Sequence, residues 1–81
     1  MRELIITRPN QVGEVLRGRR RTRKLSQQRI ADILGVSQGR FSKLEANPAQ
    51  LTLERLFTLV NVLGLELVIR EQPAARATED W

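Results

Sequence analysis

The residues with chemistry to offer in this chain are amides, hydroxyls and cations. Its 81 residues include no Cys and no His. Thiol and imidazole nucleophiles, a base near neutral pH and the common zinc ligands are therefore missing. No glycine-rich phosphate loop takes their place, so neither catalysis nor a metal or cofactor is expected. What the sequence concentrates is hydrogen-bond donors: Gln27, Gln28, Ser37, Gln38, Gly39, Arg40, Ser42 and Lys43 follow a cationic run of Arg17, Arg19, Arg20, Arg21, Arg23 and Lys24. Amide and guanidinium groups read base edges, while cations and helix N-termini hold phosphates. This donor set suits a polyanion with readable bases, which points to double-stranded DNA.

These donors need short, well-ended helices to aim them. Ser26 caps a helix over Gln27–Leu34 that Gly35 ends, and Ser37 caps a second over Gln38–Ala46. Ile30, Ile33 and Leu34 recur at helical spacing in the first, Phe41 and Leu44 in the second, and Val36 plugs the corner between them. The outward positions of the second helix are then Gln38, Gly39, Arg40, Ser42 and Lys43, with no carboxylate among them. Two capped helices joined by a tight turn form a helix-turn-helix. The other reading of such a hairpin is a surface for protein contacts alone.

Around this unit the chain divides into an arm over 1–8, a helical domain over 9–64, a strand over 65–71 and a flexible tail over 72–81. Pro9 suits the first turn of a helix over 9–23, with Val12, Val15 and Leu16 facing inward. The cations at its end suit the helix dipole and then phosphate; the alternative is a solvated helix terminus. Glu45 reads as a brace against an Arg of this first helix. Asn47-Pro48 stops the third helix. Thr52 caps a fourth over 53–63, with an inward stripe of Leu53, Leu56, Phe57, Val60 and Leu63 and with Leu59 and Val62 off it. Residues 65–70 alternate apolar and charged side chains and read as a strand. One strand cannot satisfy its own backbone, so a two-fold dimer through Leu59, Leu65, Leu67, Val68 and Ile69 is expected; pairing with Ile5 and Ile6 of the same chain is the alternative. The fold class expected is mainly α, four to five helices with one C-terminal β-strand pairing across a dimer.

Charge follows the same division. Residues 1–43 carry eleven Lys or Arg against three acids, whereas 44–81 carry three against six. A DNA-facing side and a protein-facing side follow. No apolar run approaches the roughly 20 residues of a membrane span, and the first residues do not read as a signal peptide, so a cytoplasmic, nucleoid-associated protein is expected.

The stretch SQQRIADILGVSQGRFSKLE resembles the XRE, or phage-repressor, class of helix-turn-helix domains. It matches the class motif at Ser26, Gln27, Ile30, Ala31, Leu34, Gly35, Val36, Ser37, Phe41, Ser42 and Glu45. The resemblance implies base contacts from Ser37, Gln38, Gly39 and Lys43. It places Gln27, Arg40 and Ser42 along the DNA backbone; Arg17, Arg20, Arg21, Arg23 and Lys24, by their charge beside the motif, and Gln28, in the first turn of its first helix, are expected to join them there. Gly39 departs from the class, which carries a side chain at that reading position. The order of elements, with a strand after the fourth helix and a final acid-Trp, is similar to the HipB antitoxin group of the class. That likeness implies a homodimeric repressor of its own operon, bound to a palindromic operator. It also implies a partnership with a HipA-like serine/threonine kinase toxin, in some systems with a third small subunit, and docking of Trp81 on that kinase. A phage-type or metabolic XRE repressor without a toxin partner is the alternative.

Overall fold

A computed structural model describes residues 3–73. Its elements are α1 (Pro9–Thr22), α2 (Gln27–Leu34), α3 (Gln38–Ala46), a single 3-10 turn (Pro48–Gln50) and α4 (Leu53–Val62). The protein is thus mainly helical, and the helix boundaries fall within about one residue of those expected from capping.

Each N-terminus is closed by a side chain. Ser26 Oγ accepts from the Arg29 N–H at 3.0 Å, Ser37 Oγ from Arg40 at 3.0 Å and Thr52 Oγ1 from Arg55 at 3.1 Å. At α1, Pro9 lacks an N–H to satisfy, and Gln11 Oε1 reaches back to accept from the N–H groups of Thr7 (2.7 Å) and Arg8 (3.0 Å).

Three C-termini end by one device. A residue in the left-handed region turns the chain, and the next residue donates to a carbonyl five back and drops an apolar side chain onto the core. The turning residues are Lys24, Gly35 and Gly64, at φ 57°, 72° and 68°. Leu25, Val36 and Leu65 follow them, donating to Arg20, Ala31 and Val60 at 2.9, 3.0 and 2.8 Å, and all three are half-buried against the core. Only Lys24 carries a Cβ in that conformation, which costs roughly 1 kcal/mol or more. Lys24→Gly is therefore expected to stabilise the fold by about 0.5–1 kcal/mol, net of the added freedom of the unfolded chain. A thermal melt should show a rise of a few degrees.

The core is Leu16, Ile30, Ala31, Phe41, Leu44, Leu59, Val60 and Leu63. It corrects two expectations. The buried side of α4 is Leu59, Val60 and Leu63, with Leu56 and Val62 half-buried, while Leu53 and Phe57 are 63% and 48% exposed. Apolar residues occupy so much of α4 that two stripes fit helical spacing, and packing selects the one containing Leu59. Leu59 is 1% exposed within its own chain and is removed from the expected dimer face. Ile33 likewise lies at the surface, at 40% exposure.

α1 approaches the end of α3 closely. A Cβ built on Gly13 would lie 2.5 Å from the Glu45 carbonyl oxygen and 3.1 Å from Pro48 Cγ, whereas one on Gly18 meets nothing within 4 Å. Both glycines are inside α1, where Ala is ordinarily better by about 1 kcal/mol. Gly18→Ala is expected to realise that gain. Gly13→Ala must push two backbones apart, and overpacking of about 1–3 kcal/mol outweighs the propensity. Urea unfolding of the two variants should give shifts of opposite sign.

Residues 65–73 leave α4 without regular structure, and no strand forms among the described residues. The stretch over 65–70 makes no backbone ladder with the arm, although Arg70 Nη1 lies 2.8 Å from Glu3 Oε2 and brings the two segments together. Trp81 lies outside the described residues.

Candidate nucleic-acid interface

The site is built outward from a buried carboxylate. Glu45, near the end of α3, is 2% exposed. Arg20 of α1 meets it with two bonds, Nε to Oε2 at 2.8 Å and Nη2 to Oε1 at 3.0 Å, and Arg20 Nη1 donates to the Leu25 carbonyl at 3.0 Å. Arg17 Nε stands 3.5 Å from Glu45 Oε1 at the edge of the pair. Burial pushes the Glu45 carboxyl up, but hydrogen bonds from Arg20 and Gln27 and the charges of Arg20 and Arg17 outweigh it, so its pKa lies below the ordinary value.

The network continues to the surface. Gln27, the first residue of α2, donates from Nε2 to Glu45 Oε1 at 3.1 Å, and Gln38, the first residue of α3, donates from Nε2 to Gln27 Oε1 at 2.7 Å. A row of polar groups thus runs from the interior of α1 to the exposed start of α3. Motif spacing alone places these residues on two helix starts. The tight turn over Gly35 and Val36 brings the starts together.

The outer face of α3 presents Ser37, Gln38, Gly39, Arg40 and Lys43, all exposed, with Ser42 half-buried. Ser37 Oγ is occupied by its capping bond, so it offers its hydroxyl hydrogen outward. Nothing lies within 4 Å of a Cβ position on Gly39. That opening is a place where the backbone itself can come near a ligand. Arg21 and Lys24 at the end of α1, with Arg40 and Lys43 on α3, are exposed and make no salt bridge among the described residues. Gln28 is exposed and bonded to Asp32 at 2.7 Å. Gln27 is half-buried and held between Glu45 and Gln38.

Two cations of the expected backbone-contact set point elsewhere. Arg20 is turned inward and fully engaged by Glu45 and Leu25, because a buried carboxylate requires a buried partner. Arg23 lies against Gly64 and reaches the Leu63 carbonyl at 3.5 Å, beside Arg19, whose Nε donates to the same oxygen at 2.9 Å. These two guanidinium groups neutralise the negative end of α4. Arg19, read in the sequence only as part of a cationic run, proves to be a helix-capping residue; the exposed C-terminus of α4 was the signal.

No helix among the described residues is long and apolar enough to cross a membrane. Among curated proteins, none matches the chain. A family model described as "Helix-turn-helix" matches residues 16–69, which span α1 from Leu16 through α4 and beyond. The match covers 54 of 81 residues and includes every element that positions the donor face. With that face built on two capped helices around a buried Arg-Glu pair, the chain belongs to the helix-turn-helix family of the XRE type, whose members are DNA-binding regulators.

Proposed function

We propose that this protein is a sequence-specific transcriptional repressor that binds a palindromic operator as a homodimer. The observation that carries the reading is the exposed, acid-free start of α3, where Gln38 is held by Gln27 beside Lys43, Arg40 and Gly39. Gln38 reads adenine, Lys43 reaches guanine, and Ser37 and the Gly39 backbone complete the base contacts. Arg17, Arg21, Lys24, Gln27, Gln28, Arg40 and Ser42 line the phosphates. In a two-fold dimer the two α3 helices enter successive major grooves about 34 Å apart.

The test is operator selection from a random duplex pool, followed by titration at several salt concentrations. Gln38→Ala and Lys43→Ala are each expected to lose about 1–3 kcal/mol of discrimination between selected and scrambled sites. Arg21→Ala and Lys24→Ala are expected to weaken all sites alike and to reduce the salt slope by about 1 each. Unchanged discrimination in both α3 variants would remove this helix from base reading.

Within that reading the protein serves as the antitoxin and autoregulator of a HipA-type serine/threonine kinase toxin. Support comes from the order of elements and from a basic first half set against an acidic second half. Co-purification from native extract, with Trp81→Ala as the paired variant, tests it. A serine/threonine kinase retained by the parent chain supports the partnership, and its loss with Trp81→Ala places the contact in the tail. Absence of any kinase leaves a repressor without a toxin.

A further inference from the structure

Gly39 is the one position on the outer face of α3 that offers no side chain. The fold does not ask for a glycine there. Gly35 and Gly64 turn the chain at positive φ, and Gly13 is crowded by Glu45 and Pro48. Gly39 has ordinary helical backbone and nothing within 4 Å of a Cβ position. Alanine would favour the helix at such a site.

Its place on the helix is central. At about 100° per residue, the buried side chains Phe41, Leu44 and Glu45 centre almost diametrically opposite Gly39. Gln38 and Ser42 flank it on one side, Arg40 and Lys43 on the other. Helical side chains lean back over the turn before them. Even so, no atom of Ser42 or Lys43 comes within 4 Å of the vacant Cβ position. Gln38 is tied to Gln27 at 2.7 Å, which holds it to its own side. A hollow therefore opens on the line of α3 farthest from the core, with hydrogen-bonding side chains around it. We propose that this hollow receives the C5-methyl group of a pyrimidine, which makes Gly39 a specificity-determining position. The proposal rests on the base-reading face described above and names the group read at its centre.

The chemistry of the major groove selects the occupant. Base edges there present nitrogen and oxygen donors and acceptors and one apolar projection, the C5-methyl of thymine. The polar groups have Gln38, Arg40, Ser42 and Lys43 to meet. The methyl group bonds to nothing and needs room, and only Gly39 provides it. A phosphate lies at the edge of the groove, where the flanking cations stand, and not on this line. Cytosine methylated at C5 carries the same group at the same place, so the hollow takes it as well. Methylation of a cytosine facing Gly39 then strengthens binding instead of blocking it.

The test replaces pyrimidines in the selected operator one position at a time, thymine by uracil and, separately, cytosine by 5-methylcytosine. Affinity is read by fluorescence anisotropy with the full chain and with Gly39→Ala, whose folding is verified by circular dichroism. At one position in each half-site, the methyl group is expected to strengthen binding about fourfold, the worth of burying one such group. Cytosine and 5-methylcytosine placed at that same position should differ by a similar factor. In Gly39→Ala the added Cβ takes the space, and both ratios are expected to fall within about 1.5-fold of unity. Discrimination that depends on Gln38 should persist in this variant. Thymine and uracil bound alike at every position overturn the proposal and leave base reading by α3 standing. So does a methyl effect that survives unchanged in Gly39→Ala. A chain that prefers no duplex over a scrambled one overturns both the proposal and the base-reading face.

Discussion

Glu45→Ala is expected to remove about 3–5 kcal/mol of stability, the largest loss available from any single polar side chain in this fold. The deleted carboxylate is the partner of Arg20, which is only 8% exposed and is held by two hydrogen bonds to it. Arg20 would keep only its bond to the Leu25 carbonyl. A domain of this size has a total stability on the order of 5–10 kcal/mol, so much of the variant should be unfolded at physiological temperature. Urea denaturation measures the loss. The double variant Arg20→Met/Glu45→Leu separates charge from volume, because replacing a buried pair with apolar residues is commonly neutral or favourable. It should recover most of the stability. If Glu45→Ala shifts the midpoint by less than about 1 kcal/mol, the pair is not the buried brace of the domain.

The same carboxylate gives the fold an acid limit. Its pKa is lowered in the folded state relative to an ordinary value near 4.5. A group of this kind contributes stability in full above its unfolded pKa and loses it as pH falls through the folded one. The Glu45 contribution is therefore constant at neutral pH and declines below about 4.5. Glu45→Gln should flatten that part of the stability profile.

Leu59→Ala carries the second large effect, about 2–5 kcal/mol. At 1% exposure the side chain sits among Leu16, Ile30, Phe41 and Leu63. Its removal leaves a cavity that helices on both sides cannot close. The effect should appear in the single chain and be independent of protein concentration. A residue of a dimer face would behave oppositely, losing association while leaving the monomer intact. Ile69→Ala, at 96% exposure, is the natural comparison and should leave single-chain stability within about 0.5 kcal/mol.

The contrast between Leu59 and the residues it was grouped with shows what a sequence of this kind discloses. Helix starts and stops were legible because Ser26, Ser37, Thr52, Gly35 and Gly64 each announce a local backbone requirement. The donor face of α3 was legible for a similar reason, since few apolar positions on that helix leave its inward side unambiguous. The end of α1 was not, because Lys24 performs a glycine's task. Nor was the rotation of α4, whose excess of apolar residues supports two stripes equally well. Among the cations, chain position could not distinguish Arg20, Arg21 and Arg23. The first faces a carboxylate, the second faces solvent and the third faces a helix end, and those destinations depend on elements 25 and 40 residues away. The strand expected over 65–71 belongs to a third group, since no strand forms there among the described residues. Its pattern is plain in the sequence, yet a pattern cannot name the edge that completes it.

The row from Arg20 to Gln38 has a direction, and the direction originates at its hidden end. A carboxylate only accepts, so Gln27 must turn its NH2 toward Glu45 and its carbonyl toward Gln38. Gln38 must then give one N–H to that carbonyl. What remains at the protein surface is one amide hydrogen and one free carbonyl oxygen, fixed in handedness, matching the N7 acceptor and N6 donor of adenine. An isolated glutamine would present this pair and its mirror arrangement with equal ease. Here a buried charge chooses between them, so the pair of groups that Gln38 offers at the surface is set from the interior of the domain.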